Sequence, residues 1–221
     1  MRGNPLNLGA AERAVLIGEA AALGVTLDGD ATHRFCELAR LLGVWNARIN
    51  LLSCGSAREL VERHFADSLA VAPLLGGAVT TVDLGSGAGF PGLPLAIAYP
   101  SKRFTLVESR RRRASFLREV ARALDLANVK VAERRAEKGP GSICQGPVEA
   151  AVCRAVWSDE TAVAVAAPWL VPAGRFFWMR GVSAAKPIAR GAPRVGEMLF
   201  ERQVGYRIGG RERTVEIFCR R

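Results

Sequence analysis

A β-branched run, Thr80-Thr81-Val82, closes on Asp83 and then on glycines at positions 85, 87 and 89. Such a run bounded by turn residues reads as a buried strand. Glycines at alternate positions let the backbone turn tightly and bring its N–H groups close to a ligand, because no Cβ intervenes. A helical pattern follows at once. The turn therefore lies at the C-terminal edge of a parallel sheet, where open α/β folds bind ligands.

The loop narrows the ligand. A dinucleotide fingerprint has the spacing G-x-G-x-x-G, with a pyrophosphate resting on the next helix. This chain reads D-x-G-x-G-x-G, and Asp83 stands where a carboxylate repels phosphate but accepts hydrogen bonds from a cation. S-adenosyl-L-methionine (AdoMet) is such a cation, with an ammonium, a sulfonium and no phosphate. The next strand, Phe104-Thr105-Leu106-Val107, ends at Glu108, placed to take both hydroxyls of a ribose. An ordinary βα turn with glycines for close packing is the competing reading.

Periodicity supplies the frame. Amphipathic helices are expected over 10–23, 31–45 (capped by Asp30 or Thr32) and about 56–75, ended by Gly76-Gly77. From Val79 strands alternate with helices: strands 79–84, 103–108, 128–132, 149–154 and 173–179, helices 92–99, 110–125 and 159–170. Segments 197–208 and 213–219 form a closing hairpin about Gly209-Gly210. Five parallel strands finished by a hairpin give a doubly wound α/β fold of seven strands, the Rossmann-like AdoMet-dependent methyltransferase variant. The expected division is an N-terminal helical extension, 1–76, and a methyltransferase domain, 77–221, packed as one unit. Residues 183–196, with two prolines, read as a mobile loop over the site's rim.

Composition narrows the partners. The 221 residues carry a net charge of +10, and only four of the 31 basic residues are lysines. Arginine's planar fork suits phosphate and base edges, so a polyanion is favoured, although GC-rich coding also raises arginine. The five cysteines are scattered and never spaced as C-x-x-C, which argues for a reducing cytoplasm and against a zinc site. No signal peptide or membrane span is read.

These residues together resemble the RsmG (GidB) family, bacterial guanine-N7 methyltransferases of 16S ribosomal RNA. The resemblance covers Trp45 to Gly181. It rests on Trp45-Asn46, Ile49-Asn50-Leu51, Glu62-Arg63-His64-Phe65-Ala66-Asp67-Ser68, the loop 82–92, Leu106-Val107-Glu108-Ser109, Arg113, Phe116-Leu117, Arg154-Ala155 and Met179-Arg180-Gly181. It implies AdoMet contacts at Gly85, Phe90, Ala136, Glu137 and Arg154, joined by Asp83, Gly87, Gly89 and Glu108 from the strand-end argument. Leu52 and Arg180 stand where the family usually has threonine and lysine.

Guanine N7 has a free lone pair and loses no proton on methylation, so collinear placement of nucleophile, methyl and sulfur does most of the work. No catalytic base is expected; Arg154 is the nearest candidate for a catalytic role and is assigned to the AdoMet carboxylate. The chain has no Asn/Asp-Pro-Pro-aromatic motif, and Cys153 reads as a buried hydrophobe rather than a nucleophile. Arg110, Arg111 and Arg112, opening a helix capped by Ser109, together with Arg63, His64 and Arg180, are the candidate RNA contacts. His64 stacks on a flipped base, contacts phosphate, or is a core residue; Trp45 reads as a core anchor. The reading is a cytoplasmic monomer acting on 16S rRNA or a small-subunit precursor, with S-adenosyl-L-homocysteine as product and no metal. Alternatives are an AdoMet methyltransferase of another RNA, a protein or a small molecule, a NAD-dependent oxidoreductase, and a non-catalytic RNA-binding scaffold.

Overall fold

The structure is a computed structural model that describes residues 6–141, 146–154, 156–157, 160–181 and 194–221. Most of the rim loop expected at 183–196, and Cys144, lie outside the described residues.

Two helices open the fold, α1 (Ala10–Ala22) and α2 (Gly29–Ile49). The cap of α2 is Asp28, whose carboxylate accepts the Ala31 N–H at 2.7 Å. Neither Asp30 nor Thr32 caps it; the Thr32 hydroxyl donates back to the Asp28 carbonyl. The buried stripe of α2 includes Phe35, Leu38 and Leu42. Trp45 packs edge-on against Phe116, ring centres 5.7 Å apart, as a core anchor would.

The helix expected over 56–75 is broken. It comprises α3 (Ala57–Leu60), a π-helical turn (Val61–Ala66), α4 (Asp67–Leu69) and a 3-10 turn (Ala72–Leu75). Ser56 caps its start by accepting from Glu59 N–H. A π turn inserts an extra residue, which hydrophobic spacing does not reveal and which recurs at functional sites. Its consequence here is that the Arg63 carbonyl accepts from Arg154 at 3.0 Å.

The strands are β1 (Thr80–Leu84), β2 (Arg103–Glu108), β3 (Val129–Glu133), β4 (Val148–Arg154), β5 (Leu170–Arg180), β6 (Arg194–Val195), β7 (Met198–Ile208) and β8 (Arg211–Arg220). They form one sheet in the order β3-β2-β1-β4-β5-β8-β7-β6. The first five run parallel, and β8 inserts antiparallel between β5 and β7. The closing hairpin is as expected. The count is eight rather than seven, because two residues pair with β7 as an outer edge too short to show a strand pattern.

Crossover helices are α5 (Gly92–Ala98), α6 (Arg111–Ala123) and α7 (Thr161–Ala166). Residues alternate between the two faces of the sheet. Leu106, Val152 and Phe177 face α1, α2, α5 and α6, in one core that also holds Leu16, Phe35 and Phe116. Val82, Val107 and Trp178 face α7 and Trp169 on the other side. The N-terminal helices thus share the sheet's own core. Among the described residues no helix is long and apolar enough to cross a membrane.

Candidate active site

Two cavities open near the C-terminal edge of the sheet. The first, about 320 Å³, is lined by Gly85, Val107, Glu108, Arg113, Ala136 and Glu137 among others. Gly85, Gly87 and Gly89 have φ of +76°, +58° and +91°, a region that side chains disfavour. Gly85 is also constrained by space, since a Cβ there would lie 2.5 Å from Val156.

The loop's amides are engaged inside the protein. Gly85 and Ser86 N–H both donate to the Val107 carbonyl, and Gly89 and Phe90 N–H to the Ser86 carbonyl. Gly87 N–H donates to Glu108 Oε2 at 3.0 Å, and Gly92 N–H to Asp83 Oδ2 at 3.0 Å. A pyrophosphate is held by loop amides that point at it. Here those donors are turned away, and a buried carboxylate, Glu108, stands beside them. The loop therefore lacks the amide cradle of a dinucleotide site, while Arg110, Arg113, Arg134 and Arg135 join the lining of a cavity large enough for a nucleoside such as AdoMet.

Glu108 is held for this role from both sides. Its Oε1 accepts Arg110 N–H at 2.7 Å while Oε2 takes Gly87. That same contact changes the start of α6: the residue before the helix is Arg110, not Ser109, and no side chain caps it. The dipole end carrying Arg110, Arg111 and Arg112 is served by the strand-end acid instead. These three arginines are exposed. Ala136 is buried and Glu137 exposed on the 3-10 turn Ala136–Lys138, anchored by Trp169 Nε1–H donating to the Ala136 carbonyl at 2.9 Å.

Asp83 lies beneath the loop rather than on the cavity wall. It is fully buried, and Oδ1 finds no partner. Burial is the main cause that lifts its carboxyl to about 7, against the Gly92 hydrogen bond that lowers it. It holds the loop to the start of α5 and does not face the nucleoside cavity.

The second cavity, about 240 Å³, is lined by Arg63, His64, Asp67, Arg154, Met179, Arg180, Gly181, Tyr206 and Arg213. Its centre is Asp67, 1 % exposed. Asp67 Oδ2 accepts from Arg154 Nη1 at 2.8 Å, and Oδ1 from the Tyr206 hydroxyl at 2.8 Å. Arg213 Nε lies 3.1 Å from Oδ1 at ion-pair distance, though it is not aligned as a hydrogen bond. Burial first, and then Asp67, raise the Tyr206 phenol. Arg154 is therefore not a solvated cation. Its Nη2 also reaches His64 Nδ1 at 3.0 Å, and its guanidinium lies over the Phe90 ring at 5.0 Å.

His64 stacks on Phe90, ring centres 5.0 Å apart. Desolvation, then Arg154 and Arg63, hold it down to about 3, so it is neutral at physiological pH. Phe90 is buried and carries both the His64 ring and the Arg154 guanidinium. Arg180, expected as an RNA contact, pairs with Glu216 at 2.7 Å, and Glu216 is wholly buried. Arg63 is exposed and pairs with Glu59.

Nothing in the sequence pattern alone assigns a role to Asp67, Tyr206, Arg213 or Glu216. Asp67 sits three residues after His64, a legible signal. Tyr206 lies 139 residues from Asp67 on a hairpin whose pattern showed only strand.

The remaining chemistry is quickly bounded. Cys153 is buried, and burial raises its thiol, so it has no nucleophilic thiolate. Among the described residues no cluster of His, Cys, Asp or Glu could hold a metal ion. A larger cavity, about 460 Å³, lies against Thr80, Arg103 and Asn128. That is the N-terminal edge of the strands, opposite the edge where open sheets bind ligands.

Comparison with known proteins agrees with this geometry. Residues 32–201 match the family described as rRNA small subunit methyltransferase G. A ribosomal RNA small subunit methyltransferase G from Myxococcus xanthus is 37% identical over 201 residues, covering 90% of this chain and 93% of its own. One from Sorangium cellulosum is 41% identical over 174 residues, covering 76% of this chain and 72% of its own. An O-methyltransferase from Bacillus cereus, solved with S-adenosylhomocysteine (SAH), has a TM-score of 0.57 at 13% identity, covering 93% of this chain and 97% of its own. TrmN from Thermus thermophilus has a TM-score of 0.51 at 16% identity, covering 73% and 53%. At such identities the solved structures speak for the fold alone.

Proposed function

The chain belongs to the rRNA small subunit methyltransferase G family, and from that premise we propose that it transfers the methyl group of AdoMet to N7 of a guanine in 16S rRNA. The observation that carries the reading is the glycine loop: its amides are closed onto protein acceptors, beside a buried Glu108, in a cavity of nucleoside size. AdoMet, when bound, supplies a methyl group on a sulfonium, and transfer to the N7 lone pair leaves SAH with no proton to remove.

The residues then divide the work. Glu108 accepts from the ribose hydroxyls with the lone pairs that Gly87 and Arg110 leave free. Ala136 and Glu137 border the base of the nucleoside. Gly85 and Gly87 keep side chains out of its path, Gly89 lets the loop pack on Leu93 of α5, and Asp83 fixes the loop from below. Phe90 and Arg154 border the place where the methyl end and the target meet. Since N7 needs no general base, rate comes from holding the two partners in line. The neutral His64 and the paired Arg154 suit that role, because neither is a free base or a free cation.

Arg63, Arg110, Arg111 and Arg112 are exposed and supply phosphate contacts for the RNA backbone. Residues 1–76 act as an extension that brings Arg63, His64 and Asp67 over the sheet edge. The protein works as a cytoplasmic monomer on 16S rRNA or on a small-subunit precursor particle.

Incubation with methyl-labelled AdoMet and small-subunit rRNA from cells lacking the gene tests the reading. Label recovered as 7-methylguanine at one position supports it. Label in another base, or in protein only, refutes it.

A further inference from the structure

The second cavity differs from an ordinary basic RNA surface. Three of the arginines around it are tied to buried carboxylates, Arg154 and Arg213 sharing Asp67 and Arg180 lying on Glu216. Methylation at N7 leaves the purine positively charged, so a cavity lined by unpaired guanidiniums would oppose the reaction. A neutral donor for the base edge is what the chemistry favours.

His64 supplies one. A guanidinium has no acceptor atom, so the 3.0 Å contact with Arg154 requires His64 Nδ1 to accept. The neutral ring then carries its proton on Nε2. That N–H is buried and has no hydrogen-bond partner. An unsatisfied buried donor costs about 1–3 kcal/mol and calls for an explanation. The ring stays in place through its stacking on Phe90 and its bond to Arg154.

Building on the guanine-N7 reading above, we propose that this cavity receives the target guanine and that the Nε2–H of His64 is the donor for its O6. O6 and N7 are neighbours on the same base edge. A donor on O6 orients the base while leaving the N7 lone pair free for the methyl group. His64 is thus a specificity-determining residue: adenine presents an amino donor where guanine presents O6, and would meet the histidine N–H donor to donor.

The test compares reconstituted small subunits carrying guanine or 2-aminopurine, which lacks O6 but keeps N7, at the position the wild-type protein labels. Wild type should prefer guanine about tenfold to a hundredfold in kcat/KM. His64→Phe keeps a ring on Phe90 without the donor, and should bring that ratio near the intrinsic difference between the two bases. His64→Gln keeps an N–H and should retain most of the preference. Comparing variants on the same two substrates cancels the change in N7 reactivity. A wild-type ratio near one, or an unchanged ratio in His64→Phe, overturns the proposal while the methyltransferase reading stands. Should His64→Phe fail to bind SAH, His64→Gln decides: loss of the preference there overturns the proposal and retention supports it. If the wild-type protein labels no rRNA, the function itself is wrong, and that outcome is distinct from the others.

Discussion

The two cavities at the C-terminal edge of the sheet are built by different means. The first rests on local backbone: Gly85 at positive φ, strand ends, and Glu108 held by two amide N–H groups no more than 21 residues away in sequence. The cavity beside it is made of side-chain charges brought together across 87 and 139 residues, with Asp67 holding Arg154 and Tyr206. The first should therefore be sensitive to a single added Cβ. The second should be sensitive to a single lost charge.

Asp67→Ala is the strongest attempt to break the comparison. It leaves Arg154 and Arg213 largely buried without their carboxylate, and removing one partner of a buried pair costs about 3–5 kcal/mol. Urea denaturation should register a loss of that size, with methyl transfer abolished. A loss below about 1 kcal/mol would mean that solvent already screens the cluster.

Gly85→Ala probes the other side. The new Cβ falls on Val156, and the backbone sits in the left-handed region. Calorimetry should find SAH affinity lowered at least about tenfold, through strain of roughly 1–3 kcal/mol. Filter binding of rRNA should stay within about twofold of wild type. Equal loss of both would show that the cavities are not separately built.

A smaller effect sharpens the account of the loop. Burial lifts Asp83 from 3.8 to about 7, so the folded state holds this proton more tightly than the unfolded chain. Stability tied to the neutral carboxyl is complete below about pH 4 and is lost as pH rises through about 7. Between pH 5 and pH 8 the melting temperature of wild type should therefore fall more than that of Asp83→Asn. Parallel curves would contradict the burial of this acid.

Cys153→Ala should do least. The thiol is a packed core group, so methyl transfer should remain within about twofold of wild type in a steady-state assay. A loss of several hundredfold would instead revive a cysteine nucleophile.

The same contrast explains what the sequence made legible. The strand, the glycine loop and Glu108 follow from neighbouring residues, because φ, Cβ clearance and strand ends are local properties. The closing hairpin was also legible, since its two strand patterns flank Gly209-Gly210; its place beside β5 comes from the fold. The break at Val61–Ala66 was not, because a π turn leaves the apolar spacing nearly unchanged while moving Arg63, His64 and Asp67 relative to one another. Arg154 reads in sequence as a partner for the AdoMet carboxylate; only the fold brings it to Asp67. Asp83, one residue before the loop's first glycine, looked like a ligand contact. Side-chain alternation along β1 turns it under the loop, against Gly92.

Diffraction from crystals soaked with SAH tests the division of labour most directly. The ribose should lie on Glu108 and the adenine beside Ala136 and Glu137, with the cavity of His64, Asp67 and Tyr206 left clear of the nucleoside. Adenosine density in that second cavity, with Glu108 untouched, would contradict the assignment of both sites.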